Sequence, residues 1–265
     1  MFKRFWGIVK MQIAITFAYR GTIFFWIFLH VMNFAVMFFF WTAVFSDHTI
    51  VQGFTMEQML QYVLITSIIR EFVMVAPEYA VNGDINHGKL STYLLRPLSY
   101  PFFILASSSL WHVLQMTIGL AVYLIIAFFF LPDLHFSLSW VSLLQVVPLI
   151  ILGHIFCNLL SITLGYIAFW LQQASAFFYY KDILILLTSG LFFPKDLMPS
   201  WFQGVMNILP FYSFIGLPAE ILTQRIQNIS VLPYITHLSI WILVIFTLQI
   251  FVWKRGVRTY EAVGN

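Results

Sequence analysis

The chain has 265 residues, of which 61% are hydrophobic and only 9% charged, with a mean hydropathy of +0.91 and a formal net charge of +3. Soluble domains carry about a quarter charged residues, so a soluble fold is excluded and the composition defines an integral membrane protein. At roughly 20 apolar residues per membrane helix, the length holds about six spans with short connections and no separate soluble domain.

The first 20 residues set Phe2, Phe5, Trp6, Val9, Ile13 and Phe17 at helical spacing, with Lys3, Gly7, Lys10 and Ala14 on another face. That pattern predicts an amphipathic interfacial helix over 1–20, lying on the inner leaflet. No small-residue cleavage site precedes the first long apolar run, so span one itself is expected to target the chain. Gly21 to Phe45 is 25 residues without a charge and forms span one. Span two, about Met56 to Pro77, is interrupted by Arg70 and Glu71. Span three falls at about Ala106 to Leu131, within a charge-free stretch. Leu134 to Tyr180 then runs 47 residues without a charge, too long for one crossing. It must hold span four, about Trp140 to Trp170, and the start of span five, with Gln172 and Gln173 as the turn between them. Span five is expected to end near Phe193, and span six to run from about Tyr234 to Trp253.

Between spans five and six stand Pro194, Pro199, Trp201, Pro210 and Pro218, in a segment too apolar for an ordinary loop and too broken by proline for a through-going helix. Over 194–220 it reads as a re-entrant external segment, short helices that dip into the outer leaflet and return under protein cover. The expected fold is therefore an all-α membrane protein with six transmembrane helices, an N-terminal amphipathic interfacial helix and re-entrant helices between spans five and six. Residues 1–265 form one transmembrane domain.

The 13 Lys and Arg residues orient this arrangement, because cytoplasmic loops carry the excess. With both termini cytoplasmic, Lys3, Arg4, Lys10, Arg20, Lys89, Arg96, Lys254, Arg255 and Arg258 fall inside, and only Lys195 and Arg225 fall outside. The basic balance thus reports orientation and attraction to anionic lipid head groups, and no nucleic-acid partner is expected. The single cysteine, Cys157, lies in an apolar run and forms neither an intrachain disulfide nor a cysteine metal site.

No catalytic constellation is present: neither zinc-binding His/Glu motifs nor a Gly-x-Ser-x-Gly elbow occurs. Gly83, Gly88 and Lys89 match the first part of a phosphate-binding loop, but Leu90 stands where Ser or Thr must hold magnesium, and the upstream Glu71 to Pro77 is not a buried strand. His30, His112 and His154 fall in spans one, three and four, where a neutral imidazole bonds a neighbouring helix more often than a ligand. The charged doublets Arg70-Glu71 and Lys181-Asp182 are placed about 10 Å from the cytoplasmic end of spans two and five, at 1.5 Å per residue. Equal depth predicts an intramembrane charge network across the bundle, with Arg70 facing Asp182.

The spacing Gly83-x-x-x-x-Gly88-x-Leu90-x-x-Tyr93-Leu94-Leu95-Arg96-Pro97-Leu98, together with Ser189-Gly190-x-Phe192-Phe193-Pro194-x-x-x-x-Pro199-x-Trp201, Leu209-Pro210-Phe211 and Pro218, resembles the ABC-2 family of six-span ABC transporter permeases. The resemblance implies an exporter permease in a bacterial cytoplasmic (inner) membrane, paired with a second permease copy or a sister permease. A separate ABC nucleotide-binding ATPase subunit would carry ATP and Mg, so this chain would hold no cofactor and perform no hydrolysis. The resemblance places the ATPase-coupling loop at 78–100, with Gly83, Gly88, Leu90, Tyr93, Leu94, Leu95, Arg96 and Pro97 as its residues. A membrane-embedded enzyme acting on lipid and a non-transporting membrane scaffold are the alternatives from other classes.

Overall fold

A computed structural model describes residues 20–97, 99–130, 139–226 and 229–260. The interfacial helix expected over 1–20 lies outside these residues except for Arg20. Among the described residues the fold is all helix, with one isolated bridge between Val51 and Phe54. In chain order the α-helices are α1 (Arg20–Val44), α2 (Met56–Val73), α3 (Glu78–Asn86), α4 (Leu90–Leu94), α5 (Tyr100–Phe130), α6 (Trp140–Gly165), α7 (Ser175–Thr188), α8 (Ser200–Ile208), α9 (Phe211–Phe214), α10 (Gly216–Leu222) and α11 (Leu232–Thr259).

Local chemistry sets several of these boundaries. Thr55 and Gln58 form a reciprocal capping box that starts α2. Ser139 caps α6 by accepting from the Val141 N–H at 3.2 Å. A 3₁₀ turn, Tyr166–Phe169, ends the α6 path, and the residues around Gln172 and Gln173 break the chain before α7, where the sequence places the turn.

Among the described residues, four helical segments are long and apolar enough to cross a bilayer: Ile23–Val44, Met56–Asn86, Trp140–Phe169 and Leu232–Thr259. A fifth arises if α8 with α9–α10, bent by 73°, counts as one crossing. Two expected spans take a different form. Helix α5 begins at Tyr100, earlier than hydropathy suggested, and runs 31 residues. Helix α7 has only 14 residues, short of the roughly 20 that a crossing needs, because the chain breaks at Ser189-Gly190.

Helix α6 is the centre of the bundle, touching α2, α3, α5, α7, α9, α10 and α11, with α11 along its length. Helix α1 packs on α2 and α5 and leaves Phe24, Phe25, Phe28 and Phe39 exposed. One end of the bundle gathers Val81, Ile85, Leu90, Tyr100, Tyr166 and Trp253. The opposite end gathers Val146, Leu149, Met206, Tyr212 and Ile221. Loops that the charge distribution assigns to one side of the membrane therefore meet at one end of the molecule.

Candidate functional site

The segment expected to be a loop over 78–100 is mostly helical. Pro77 cannot continue α2, because it lacks the N–H and turns the preceding residue away from helical geometry, yet its fixed φ of −67° starts a new helix. Gly83 consequently lies inside α3 and makes no turn. Gly88 does, with φ +71°, a value that favours glycine. Helix α3 packs closely on α6: a Cβ on Gly165 would sit 2.7 Å from the Val81 side chain.

Side chains tie this segment to the helix ends around it. The Tyr100 hydroxyl donates to Asp84 at 3.0 Å, Ser91 and Tyr260 share a hydrogen bond at 3.2 Å, and Asn86 donates to the Gln172 carbonyl at 3.0 Å. Tyr93 packs on Tyr100 and Phe103 and carries the Arg96 guanidinium over its ring at 4.9 Å. Leu90 is fully buried in the protein's own core, whereas Leu94 is 43% and Leu95 89% exposed. The apolar surface offered outward is thus Leu94 and Leu95 beside the exposed Arg96 and Pro97. Leu90, which the resemblance groups with them in the coupling loop, is turned inward and holds α4 down. Gly83 to Lys89 runs through a helix and a turn, and the segment before it, α2, is helical.

Of the four charged side chains expected to meet across the bundle, Glu71 and Lys181 have partners other than those expected, Asp182 pairs with its neighbour Lys181, and Arg70 has no ion pair among the described residues. Lys181 donates to Glu78 at 2.5 Å and to Ser161 at 3.1 Å, and lies 3.2 Å from Asp182. Both Lys181 and Glu78 are buried. Glu71 meets His30 at 3.5 Å. Arg70 and Asp182 line the same cavity but form no ion pair with each other. The reason is depth. The span-two path continues through α3 to Asn86, so Arg70 lies near the middle of a 31-residue path, and Glu78, eight residues or roughly 12 Å further along, reaches the level of Lys181.

These polar groups hold the break between α2 and α3 together. Where the helix stops, carbonyls lose their own donors and must be satisfied within the protein at membrane depth. His154 bonds the Phe72 carbonyl at 3.0 Å, and the Ser161 hydroxyl donates to the Val75 carbonyl at 3.3 Å. Asn158 holds His154 from the next turn and accepts from Ser108 at 2.9 Å. His112 lies over His154 with ring centroids 5.3 Å apart. His30 and His154 are bound to neighbouring helices, as expected, whereas the buried Nε2 of His112 has no hydrogen-bond partner among the described residues. Glu78, Ser161 and Asn158 were not singled out from the sequence. The helical spacing of Glu78, Val81 and Ile85 after Pro77 is the signal that could have found the first.

The proline-rich segment folds back into the bundle. Every residue from Pro210 to Ile221 is buried, including Pro218 within α10. Pro194, Pro199 and Pro210 each stand immediately before a helical turn, and Trp201 is exposed on α8. The bend before the segment is clamped: Tyr62 donates to the Gly190 carbonyl at 2.5 Å, Thr66 to the Leu191 carbonyl at 3.0 Å, and the Gly216 N–H to the Ser189 carbonyl at 2.9 Å. Gly190, with φ +79°, makes that bend possible. Arg225 fastens the far side, donating to Gln52 and Gly53 carbonyls and to Asp196.

A cavity of about 900 Å³ opens between α1, α2, α5 and α7 at the helix break. Trp26, Leu29, Met74 and Ile118 line it together with His30, Arg70, Glu71, Gln115 and Asp182.

A bundle of long apolar helices with a buried polar break is a multi-pass membrane protein. The model of the ABC-2 family transporter protein matches residues 31–264, and the chain belongs to that family. No curated protein matches it. Membership identifies a transport permease.

Proposed function

We propose that this chain is the permease subunit of an ABC exporter, with six spans, both termini in the cytoplasm and a re-entrant segment on the external side. It pairs with a second permease copy or a sister permease in a bacterial cytoplasmic membrane, and a separate nucleotide-binding subunit supplies ATP hydrolysis. The observation that carries this reading is the exposed pair Leu94 and Leu95, presented on a short helix whose other side is bonded to the ends of α5 and α11. An apolar, arginine-flanked tip fixed to the spans is suited to a groove on a soluble partner and passes that partner's movement into the bundle. From α4 the path runs through α3 to the polar break and the cavity, where substrate would enter.

The experiment is co-expression with a nucleotide-binding subunit encoded beside this chain. Purified permease alone is expected to hydrolyse no ATP, and the complex to co-purify and hydrolyse it. Hydrolysis by the isolated chain that Lys89→Ala abolishes, or failure to retain the ATPase, overturns the reading.

A further inference from the structure

We propose that the cavity between α1, α2, α5 and α7 binds a long-chain amphiphile whose head group bears a single negative charge, a carboxylate or a phosphodiester. The head sits on Arg70 and the chain lies against Trp26, Leu29, Met74 and Ile118. In naming a substrate class the proposal rests on the permease reading, while the binding chemistry stands on the cavity alone.

Arg70, Glu71 and Asp182 line this space together with the imidazoles of His30 and His112. Glu71 is met by His30 and Asp182 by Lys181. Arg70 differs: among the described residues its guanidinium has no ion pair and no hydrogen-bond acceptor, although it offers five N–H donors in a planar fork. An ionisable group held at membrane depth without a partner is costly and marks a site that a ligand completes. The fork matches a carboxylate or phosphate in bidentate geometry.

The same inventory excludes other head groups. An ammonium ion would find Glu71 already met by His30 and Asp182 by Lys181, and would share the cavity with the unpaired Arg70 guanidinium. A second negative charge on the ligand would face Glu71 and Asp182 with no further cation on the lining. The rest of the surface sorts into apolar side chains and neutral donors such as Gln115 and Ser107, which suits a chain with few polar atoms. The volume of about 900 Å³ accommodates such a chain and far exceeds what a free anion needs.

The test is photolabelling of the full chain in phosphatidylcholine nanodiscs with a long-chain fatty acid that carries a diazirine, with labelled peptides mapped by mass spectrometry. The acid should label peptides containing Trp26, Met74 or Ile118, and its methyl ester should label them much less. Dodecyl methyl phosphate, a phosphodiester with one negative charge, should compete, whereas inorganic phosphate and dodecyltrimethylammonium should not. Arg70→Gln should reduce cavity labelling by the acid about ten-fold or more, the factor carried by a charge-assisted contact, and leave the faint labelling by the ester unchanged. If Arg70→Gln does not fold, Arg70→Lys keeps the charge without the fork and should lose several-fold. Equal labelling by acid and ester, or an Arg70 variant indistinguishable from the parent, overturns the proposal. Competition by inorganic phosphate would make this a free-anion site, and competition by the ammonium amphiphile would reverse the assigned charge; either result overturns it too. No ATPase is present in this assay, so its failure leaves the permease reading standing, and loss of ATPase co-purification leaves the labelling untouched.

Discussion

The Lys181 ammonium lies 2.5 Å from the Glu78 carboxylate, inside the bundle, and so joins α7 to the first turn of α3. The pair sits immediately after Pro77, where helix α2 has stopped and the chain begins again. Ser161 accepts from Lys181 and donates to the Val75 carbonyl, so one cluster joins a buried ion pair to the broken backbone. Movement of α3 relative to α2 must disturb this cluster.

Breaking one partner should therefore cost more than removing both. Lys181→Met leaves the Glu78 carboxylate buried without its counterion, a loss of about 3 to 5 kcal/mol; Glu78→Gln should cost less, because Lys181 keeps Asp182 at 3.2 Å, and replacing both with apolar residues of similar volume is close to neutral. Thermal unfolding of the purified protein should rank the double variant Glu78→Leu with Lys181→Met above either single variant. A double variant no better than the worse single one would show that the two side chains do not depend on each other.

The outlines of this arrangement were legible in the sequence, and the pairing was not. Charge-free runs located α1, α6 and α11, the Gln172-Gln173 turn separated α6 from α7, and prolines marked the segment that folds back. Hydropathy reads Pro77 as the end of span two, because proline stops a helix. It cannot register that the same proline begins another, and that error placed Glu78 in a loop and set Arg70 at the level of Lys181. The ABC-2 spacing located the 83–97 segment, but which of its leucines points outward depends on packing against Tyr100, Tyr166 and Trp253, residues distant in sequence.

Leu90 and Leu95 should behave oppositely although they are five residues apart. Leu95→Asp changes an exposed side chain, so unfolding should shift little while retention of the ATPase subunit in a pull-down drops. Leu90→Asp puts a carboxylate into a filled core and should lower stability by more than the about 1.5 to 3 kcal/mol of a buried leucine. Equal loss of partner by both variants, with equal stability, would mean that the burial of Leu90 has no bearing on docking.

The Tyr62 hydroxyl is the most direct support of the bend at Gly190, since it bonds the Gly190 carbonyl where α7 has ended. Tyr62→Phe leaves that carbonyl buried without a donor, at a cost of about 1 to 3 kcal/mol. Gly190→Ala should be worse than Tyr62→Phe, because φ +79° strains any residue with a Cβ and that Cβ would stand 2.9 Å from the Tyr62 hydroxyl. Melting temperatures in one detergent should follow the order parent, Tyr62→Phe, Gly190→Ala. An unchanged melting temperature for Gly190→Ala would show that the bend relaxes freely.

Orientation follows from charge and can be read with thiols. His48 lies in the connection between α1 and α2, and Asn86 at the end of α3; both are exposed, at opposite ends of the span-two path. Cys157 is buried, so Cys157→Ala provides a background without a competing thiol at little cost in volume. In that background, His48→Cys should react with an impermeant maleimide added to intact cells, and Asn86→Cys should react only after the membrane is opened. The Asn86 side chain bonds the Gln172 carbonyl, so the substituted protein should first be shown to elute as the parent does. Labelling of Asn86→Cys from outside, with His48→Cys protected, would invert the molecule. Leu94 and Leu95 would then face away from the compartment that holds ATP, and the ATPase-docking role of α4 would be lost with them.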